Sequence, residues 1–296
     1  MAASAPGRRG EYMMNEGEHR FAEWIGREET GEDLIALAPV RAAAATLDDD
    51  PQAFAEGSPL PPLWHWFFFL NPAPQARLGE DGHPERGGFM PPIALPRRMF
   101  AGARLSFHEP LVIGRPARRT ARIASVSEKS GKSGTLAFVG VDYRIEQDGR
   151  LCIEEHQDIV YREPGAPVPA PRPAELPPVP GGAWTRMVAP DPRLLFRFSA
   201  LTFNAHRIHY DRPYATGVEG YPGLVVHGPL TAVLLMELVR RNSAARVSAY
   251  TFRGQAPLFD LAPFRLAGVP AGGSVALEAH GPDGRTAMAG TAELAP

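Results

Sequence analysis

The hydrophobic and polar positions of the chain repeat one layout twice. An apolar segment at residues 60–70 and another at residues 229–241 each predict a buried helix, because apolar side chains cover most of the circumference. Runs of alternating polarity follow each segment, and turns containing Asp-Gly or Ser-Gly separate them. This alternation predicts antiparallel strands, since successive side chains of a strand point to opposite faces of a sheet.

Four strands are predicted in each half of the chain. In the first half they cover residues 103–109, 118–128, 134–147 and 150–161. In the second half they cover residues 248–252, 263–268, 274–280 and 285–293. A buried helix followed by an antiparallel meander, found twice, suggests a sheet that wraps around a helix in each half. We therefore predict the α+β class and a tandem, or double, hot-dog fold.

A proline-rich stretch separates the two halves. Residues 164–180 contain eight prolines, and two glycines follow them. Proline lacks the backbone N–H that a helix or a central strand needs, so this stretch predicts a semi-rigid linker at residues 164–183. We expect an N-terminal domain at residues 19–163 and a catalytic C-terminal domain at residues 184–296. Residues 1–18 are expected to be disordered.

Composition narrows the class of protein. A formal net charge of −2 in 296 residues argues against a nucleic-acid-binding protein, which usually carries a clear basic excess. The single cysteine, Cys152, excludes an internal disulfide and a multi-cysteine metal site. No apolar run is long enough to span a bilayer, and the N-terminus lacks the apolar region of a signal peptide. We therefore expect a cytoplasmic protein without membrane or nucleic-acid partners.

The candidate chemistry lies just before the second predicted helix. Eight positions contain Asn204, His206, His209 and Asp211. A histidine can accept and return a proton near neutral pH, so His209 is the candidate acid–base group, and the amide of Asn204 could orient a water molecule. His206 could share the acid–base role with His209, or it could lie on a surface turn. Asp211 fits a helix N-cap or an orienting partner better than a proton donor.

The dipeptide His227-Gly228 is the second candidate element. Gly228 could simply give a tight entry to the helix, but its N–H could also bind an oxyanion at the helix N-terminus. An acid–base group beside an oxyanion site suits chemistry next to a thioester carbonyl. The spacing of His206, His209 and His227 fits no standard zinc signature, so no metal is expected.

Together, Asn204, His209 and the pair His227-Gly228 resemble the MaoC-like, or R-specific, hydratase–dehydratase family. Its signature is Gly-Asp-x-Asn-Pro-x-His, with a distal His-Gly at the central helix. The resemblance implies that Asn204 and His209 hold the catalytic water and that the Gly228 N–H binds the thioester oxygen. Asp211, His206 and His227 would support them.

The chain also departs from that signature. Phe203-Asn204 stands in place of Gly-Asp, and His206-Arg207 in place of Asn-Pro. An amide cannot act as a base, so His209 would carry the proton transfers alone unless Asp211 or His206 helps. The variant is similar to a branch that contains 3-methylfumaryl-CoA (mesaconyl-CoA) hydratases and hydroxyacyl-thioester dehydratases.

The resemblance implies a hydro-lyase that adds or removes water across the α,β double bond of an acyl-CoA thioester. Coenzyme A would be part of the substrate, and no other cofactor is implied. The first half has no Asn/Asp-x4-His pair, so it is expected to be a degenerate domain that shapes the pocket. Candidates for substrate or CoA contacts are Arg97, Arg98, Arg207, Arg212, Trp64 and Trp66.

Three other functions stay open at this point. The first is a 3-hydroxyacyl dehydratase of fatty-acid synthesis, acting on CoA or acyl carrier protein thioesters. A thioesterase is the second, by analogy of fold alone. The third is an acyl-thioester binding module without catalysis. A tandem chain could act as a monomer or form a homodimer.

Overall fold

Ten strands form one continuous antiparallel sheet in the computed structural model, which describes residues 21–131 and 134–295. The disorder expected at residues 1–18 lies outside the described residues. The strands are β1 Glu28–Leu34, β2 Arg97–Phe107, β3 Pro116–Gly131, β4 Gly134–Gln147, β5 Arg150–Arg162, β6 Trp184–Val188, β7 Val247–Gly254, β8 Phe264–Ala271, β9 Ser274–His280 and β10 Thr286–Leu294. The α-helices of the described part are α1 Leu37–Thr46, α2 Pro192–Leu201, α3 Arg212–Gly217 and α4 Gly228–Asn242.

The order of strands across the sheet is β1-β3-β4-β5-β2-β7-β10-β9-β8-β6. The first five strands all precede the proline-rich stretch in the chain, and the last five all follow it. The two sets meet where β2 pairs with β7, with Ala103 opposite Phe252. The sheet therefore runs unbroken from one half of the chain to the other.

The eight predicted strands correspond to β2–β5 and β7–β10, but β1 and β6 were not predicted. Both lie at the outer edges of the sheet. β1 has the sequence EETGEDL and is mostly exposed, so it lacks the apolar alternation that marks a half-buried strand. β6 is only five residues long. Short, polar strands of this kind leave little signal in a sequence.

Helix α4 is the helix predicted at residues 229–241. All ten residues from Leu230 to Val239 are buried. It packs against β2, β6, β8, β9 and β10. His227 occupies its N-cap position, and Pro229 suits its first turn because a helix N-terminus needs no N–H there. The second half of the chain thus wraps its strands around one apolar helix.

The helix predicted at residues 60–70 is wrong. This segment contains only a short 3-10 turn, Trp64–Phe67. Leu63 and Phe69 have left-handed backbone conformations, with φ of 70° and 53°, and an α-helix cannot continue through either. The segment is apolar because it is buried in the main hydrophobic core, which residues of both halves form and in which Trp64 is fully enclosed. Burial, rather than helical structure, accounts for its composition.

No helix or strand lies between Arg162 and Trp184. This stretch runs along the second half of the chain, where the Val168 N–H donates to the Gly220 carbonyl at 2.8 Å. The Arg265 guanidinium donates to the Pro177 carbonyl at 2.6 Å. The predicted domain boundaries on either side stay predictions. Within the described ranges, no helix has the length and apolarity needed to cross a membrane.

Candidate active site

The turn between α2 and α3 carries the polar residues predicted to be catalytic. The side-chain oxygen of Asn204 accepts a hydrogen bond from the His206 N–H at 2.9 Å, which fixes the turn. A 3-10 turn, Arg207–His209, follows. Asp211 then caps α3 by accepting from the Tyr214 N–H at 3.1 Å. Asp211 thus occupies the N-cap position expected from the sequence.

His209 is buried with one ring nitrogen committed to the backbone. Its Nδ1 lies 2.7 Å from the carbonyl oxygen of Val225. A carbonyl oxygen only accepts hydrogen bonds, so Nδ1 carries the proton and Nε2 is left as a base. Burial lowers the pKa of His209 to about 3, with a further lowering from His206. His209 is therefore neutral at ordinary pH.

The other two predicted histidines lie against His209. The ring of His227 stacks on that of His209 with centroids 3.6 Å apart, and its Nε2 lies 2.9 Å from the Ser199 hydroxyl. The ring of His206 meets His209 edge-on at 5.4 Å. Burial lowers the pKa of His206 to about 3 and that of His227 well below its usual value. The structure thus brings the three predicted histidines together, with Ser199 as an unpredicted partner.

A fourth histidine, His83, joins this group from the first half of the chain. Its ring lies 4.1 Å from that of His206. Its Nδ1 is 3.0 Å from one Asp81 oxygen, and its backbone N–H donates to the other at 2.9 Å. Burial alone would raise the pKa of Asp81, but the hydrogen bonds and charge of His83 lower it to about 2. Asp81 is therefore ionised, and His83 donates from Nδ1.

The loop that carries His83 docks directly on the Asn204 turn. Gly82 has a φ of +89°, and a Cβ at this position would lie 1.9 Å from the carbonyl oxygen of Ala205. The Arg207 N–H donates to the Asp81 carbonyl at 2.9 Å. The Arg207 guanidinium donates to the Glu80 carbonyl at 3.1 Å. The two segments are more than a hundred residues apart, so no local sequence signal connects them.

Gly228 is the first residue of α4, next to the His227 ring that stacks on His209. Its N–H has no acceptor within the helix, and none is recorded elsewhere among the described residues. A Cβ on Gly228 would lie 3.7 Å from the Phe100 carbonyl. An N–H at a helix N-terminus is suited to bind an oxyanion, and this role of Gly228 stays a prediction.

Strand β2 supplies the predicted residue Arg98 to the inner face of the sheet. Arg98 pairs with Tyr161 on β5, and Phe100 pairs with Ile159. Tyr161 and Ile159 are both buried. Arg98 is half-buried, and no carboxylate or hydrogen-bond partner is recorded for it among the described residues. Burial is the main cause of the lowered pKa of His83 and of His206, and the charge of Arg98 adds to it. Arg98 is therefore an unpaired cation near the histidines.

The other predicted arginines are already paired with carboxylates. These pairs are Arg97 with Glu219 at 2.9 Å, Arg207 with Asp211 at 2.8 Å, and Arg212 with Asp260. Arg97 is buried, and its guanidinium also donates to the Glu219 carbonyl at 2.6 Å. These three side chains hold neighbouring loops, whereas the sequence suggested substrate contacts for them.

The two predicted tryptophans have different surroundings. Trp64 is fully buried, and its indole N–H donates to Glu237 on α4 at 3.0 Å, so the structure places it in the core, whereas the sequence suggested a substrate contact. Trp66 is half-buried and packs edge-on against Phe100, with ring centroids 5.9 Å apart. Its indole N–H donates to the buried Glu155 at 3.0 Å. Trp66 therefore belongs to the same inner face as Phe100.

Asp81, His83 and His206 offer ligand atoms within 4.8 Å of one another and could hold a metal ion. Two features of the geometry fit a hydrogen-bonded pair better. His83 and Asp81 already use their facing atoms on each other. The rings of His83 and His206 lie against each other, with centroids 4.1 Å apart and a tilt of 39° between their planes, as in a packing contact. The expectation of no metal stays a prediction.

Two surface cavities lie elsewhere on the molecule. One, of about 720 Å³, lies where residues 177–180 cross strands β2 and β7. The other, of about 670 Å³, lies beside the C-terminal end of α4. None of the four histidines lines either cavity. The histidine cluster is therefore separate from both of these cavities.

The chain matches a known protein family, and its structure resembles solved structures of one fold. Residues 63–260 match the family described as hydroxyacyl-thioester dehydratase type 2. The mesaconyl-C4-CoA hydratase of Chloroflexus aurantiacus is 67% identical over 271 residues, which are 92% of this chain and 96% of that relative.

Solved structures at low sequence identity have the same architecture. A MaoC-like dehydratase superimposes with a TM-score of 0.70 at 16% identity, covering 91% of this chain and 98% of its own. A Mycobacterium tuberculosis protein described as a double hot-dog superimposes with a TM-score of 0.56 at 14% identity, covering 92% and 96%. The predicted α+β class and double hot-dog fold are confirmed.

Proposed function

The chain belongs to the family of type 2 hydroxyacyl-thioester dehydratases and is a hydro-lyase of acyl-CoA thioesters, and from this premise we propose that it hydrates mesaconyl-C4-CoA. The observation that carries the proposal is the 67% identity to a mesaconyl-C4-CoA hydratase, which extends over 96% of that relative. The hydratase–dehydratase activity predicted from the sequence is confirmed. The identity of the acyl group is the part that we propose.

The proposed reaction begins with a water molecule held between Asn204 and His209. Nε2 of His209 takes a proton from the water, and the hydroxide adds to the β-carbon. The electron pair of the double bond moves towards the thioester oxygen, where the Gly228 N–H stabilises the developing charge by about 3 kcal/mol. The proton then passes to the α-carbon, so that water is added and His209 returns to its neutral form.

Arg98 gives a physical reason for a substrate with a carboxylate. In mesaconyl-C4-CoA, or 3-methylfumaryl-CoA, the β-carbon carries both a methyl group and a carboxylate. Arg98 is half-buried, near the histidines and without a carboxylate partner among the described residues. A guanidinium binds a carboxylate through two parallel hydrogen bonds, which gives orientation as well as affinity. We propose that Arg98 binds the substrate carboxylate.

The test compares two acyl-CoAs that differ only in that group. In 3-methylcrotonyl-CoA a methyl group replaces the carboxylate, so hydration of both can be followed by loss of the enoyl-thioester absorbance. We expect the wild type to prefer mesaconyl-C4-CoA at least 100-fold in kcat/KM. Arg98→Gln should lower kcat/KM for mesaconyl-C4-CoA about 10- to 100-fold and leave the methyl analogue unchanged. Arg253→Gln, an exposed arginine of β7, is the matched control.

Other results would identify a different function. Equal rates on the two acyl-CoAs would contradict the proposed substrate. Release of free thiol, detected by a thiol reagent in the same assay, would indicate a thioesterase. Binding of acyl-CoA without turnover would indicate a binding module.

We further propose a cytoplasmic location, because acyl-CoA thioesters are intracellular metabolites. One chain contains both halves of the sheet, joined between β2 and β7, so we propose that a monomer is sufficient for activity.

We also propose that no metal or redox cofactor takes part, since hydration needs only proton transfer and stabilisation of the enolate oxygen.

A further inference from the structure

The histidine cluster faces an electrostatic difficulty if it is to hold a proton. His206, His209 and His227 are all buried, and burial disfavours the charged form of each. While the proton of the water is on the cluster, one imidazole must carry a positive charge in this environment. The MaoC-like signature has a carboxylate at the position of Asn204, and an amide cannot offset that charge.

The structure contains a carboxylate next to the cluster, but from the other half of the chain. Asp81 hydrogen-bonds to Nδ1 of His83 at 3.0 Å, and the His83 ring lies 4.1 Å from His206. His206 in turn meets His209 at 5.4 Å. Among the described residues, Asp81 is the only carboxylate with a recorded hydrogen bond to any of these four histidines.

We propose that Asp81 and His83 are part of the catalytic centre, where Asp81, acting through His83, stabilises the positive charge that the histidine cluster carries between the two proton transfers. The proton leaves the water for His209 and ends on the α-carbon, so neither Asp81 nor His83 is consumed. Both are positioning residues in this account. The inference rests on the proposed role of His209 and not on the identity of the acyl group.

The side chains of this pair can be tested separately from the docking of their loop. Docking uses backbone groups, since Gly82 packs on the Ala205 carbonyl and the Asp81 carbonyl accepts from the Arg207 N–H. The Asp81 carboxylate bonds to His83 instead. An isosteric change of carboxylate to amide therefore removes the charge and keeps the contact between the loops.

Few charged or titratable groups are recorded around His83 in the described part of the chain. They are Asp81, His206, His209, Arg86 and Arg98, of which the two arginines oppose and Asp81 favours a positive charge on His83. Of these recorded groups, only cations and histidines remain when the Asp81 charge is removed. Loss of this carboxylate should therefore make a positive charge less stable on every histidine of the cluster.

The experiment measures kcat, KM and melting temperature for Asp81→Asn and His83→Gln with the best enoyl-CoA substrate. We expect each variant to lose about 10- to 100-fold in kcat, with KM within threefold of the wild type and the melting temperature within a few degrees. The double variant should lose no more kcat than the single variant with the larger loss, because Asp81 acts through His83. Glu85→Gln, whose exposed carboxylate pairs with Arg77, is the matched control.

The outcomes separate this inference from the role of His209. Wild-type kcat in both single variants would overturn the inference, and so would losses confined to KM or to thermal stability. Additive losses would show that the two side chains do not act as a unit. If Asp81→Asn is fully active while a folded His209→Gln is inactive, this inference fails and the role of His209 survives; full activity of His209→Gln would overturn both.

A metal-dependent result would also overturn it. The wild type treated with a strong chelator should keep full activity. Loss of activity that is restored by Zn²⁺ or Mn²⁺ would make Asp81, His83 and His206 a ligand set rather than an acid–base arrangement.

Discussion

At the residue scale, the Nδ1–H of His209 is committed to the Val225 carbonyl at 2.7 Å, and this leaves Nε2 as the ring atom that can accept a proton. The sequence predicted His209 because a histidine stands five residues after Asn204. It could not predict His83, whose partner Asp81 lies in a polar loop far from the motif. It also gave no sign that Trp64 is a core residue, because buried and substrate-facing tryptophans look alike in a sequence.

Gly228→Ala tests the oxyanion role of the helix N-terminus. The added Cβ would lie 3.7 Å from the Phe100 carbonyl, an ordinary contact, so the fold should be kept. Alanine also restricts the unfolded chain, which should leave the melting temperature equal or slightly higher. The methyl group would occupy the approach of the thioester oxygen, and we expect kcat/KM to fall about 10- to 100-fold. Unchanged turnover would remove Gly228 from the site.

At the element scale, α4 was predictable and the segment at residues 60–70 was not, although both are strongly apolar. α4 contains no helix breaker after Pro229, and all its residues from Leu230 to Val239 are buried. The other segment is apolar because it lies in the core shared by both halves, and it has left-handed residues at Leu63 and Phe69. Apolar composition reports burial, and it does not separate a buried helix from a buried irregular segment.

Gly82→Ala tests whether docking of the His83 loop matters for catalysis. A Cβ at this φ of +89° would be strained and would lie 1.9 Å from the Ala205 carbonyl, so the loop must move. We expect kcat to fall at least 10-fold, with a melting temperature a few degrees lower. Gly88→Ala is the matched control, because nothing lies within 4 Å of its added Cβ. Equal kcat in the two variants would contradict the role of the loop.

At the scale of the whole molecule, the proposed active centre is assembled from a loop of the first half and from a turn and a helix N-terminus of the second half. The sequence predicted the double hot-dog layout, since periodicity within each half is a local property. It described the first half only as a pocket-shaping domain, because contacts such as Gly82 with Ala205 exist only after the halves have packed together. The burial that results leaves several histidines neutral inside the protein.

This burial predicts a loss of stability in acid. The pKa of His206 and of His209 is lowered to about 3, so between about pH 6.5 and 3 the unfolded chain binds protons that the folded chain does not. Stability is therefore complete above about pH 6.5 and falls as the pH falls. For the two residues together, we expect the free energy of unfolding to be about 2–3 kcal/mol lower at pH 5.5 than at pH 7.5.

Urea unfolding at the two pH values measures this difference. His206→Asn should lower the measured difference by the share of one residue, about 1–1.5 kcal/mol, because asparagine does not titrate. An equal free energy of unfolding at pH 5.5 and pH 7.5 in the wild type would contradict the burial of neutral histidines.

The central claim is that His209 moves the protons of a hydration reaction, and one comparison tests it most directly. Wild type and His209→Gln are incubated with mesaconyl-C4-CoA, and loss of the enoyl-thioester absorbance is recorded with a thiol reagent present. We predict rapid loss without thiol release in the wild type and a kcat about 10²- to 10⁴-fold lower in a folded His209→Gln. Undiminished turnover by the folded variant would contradict the claim.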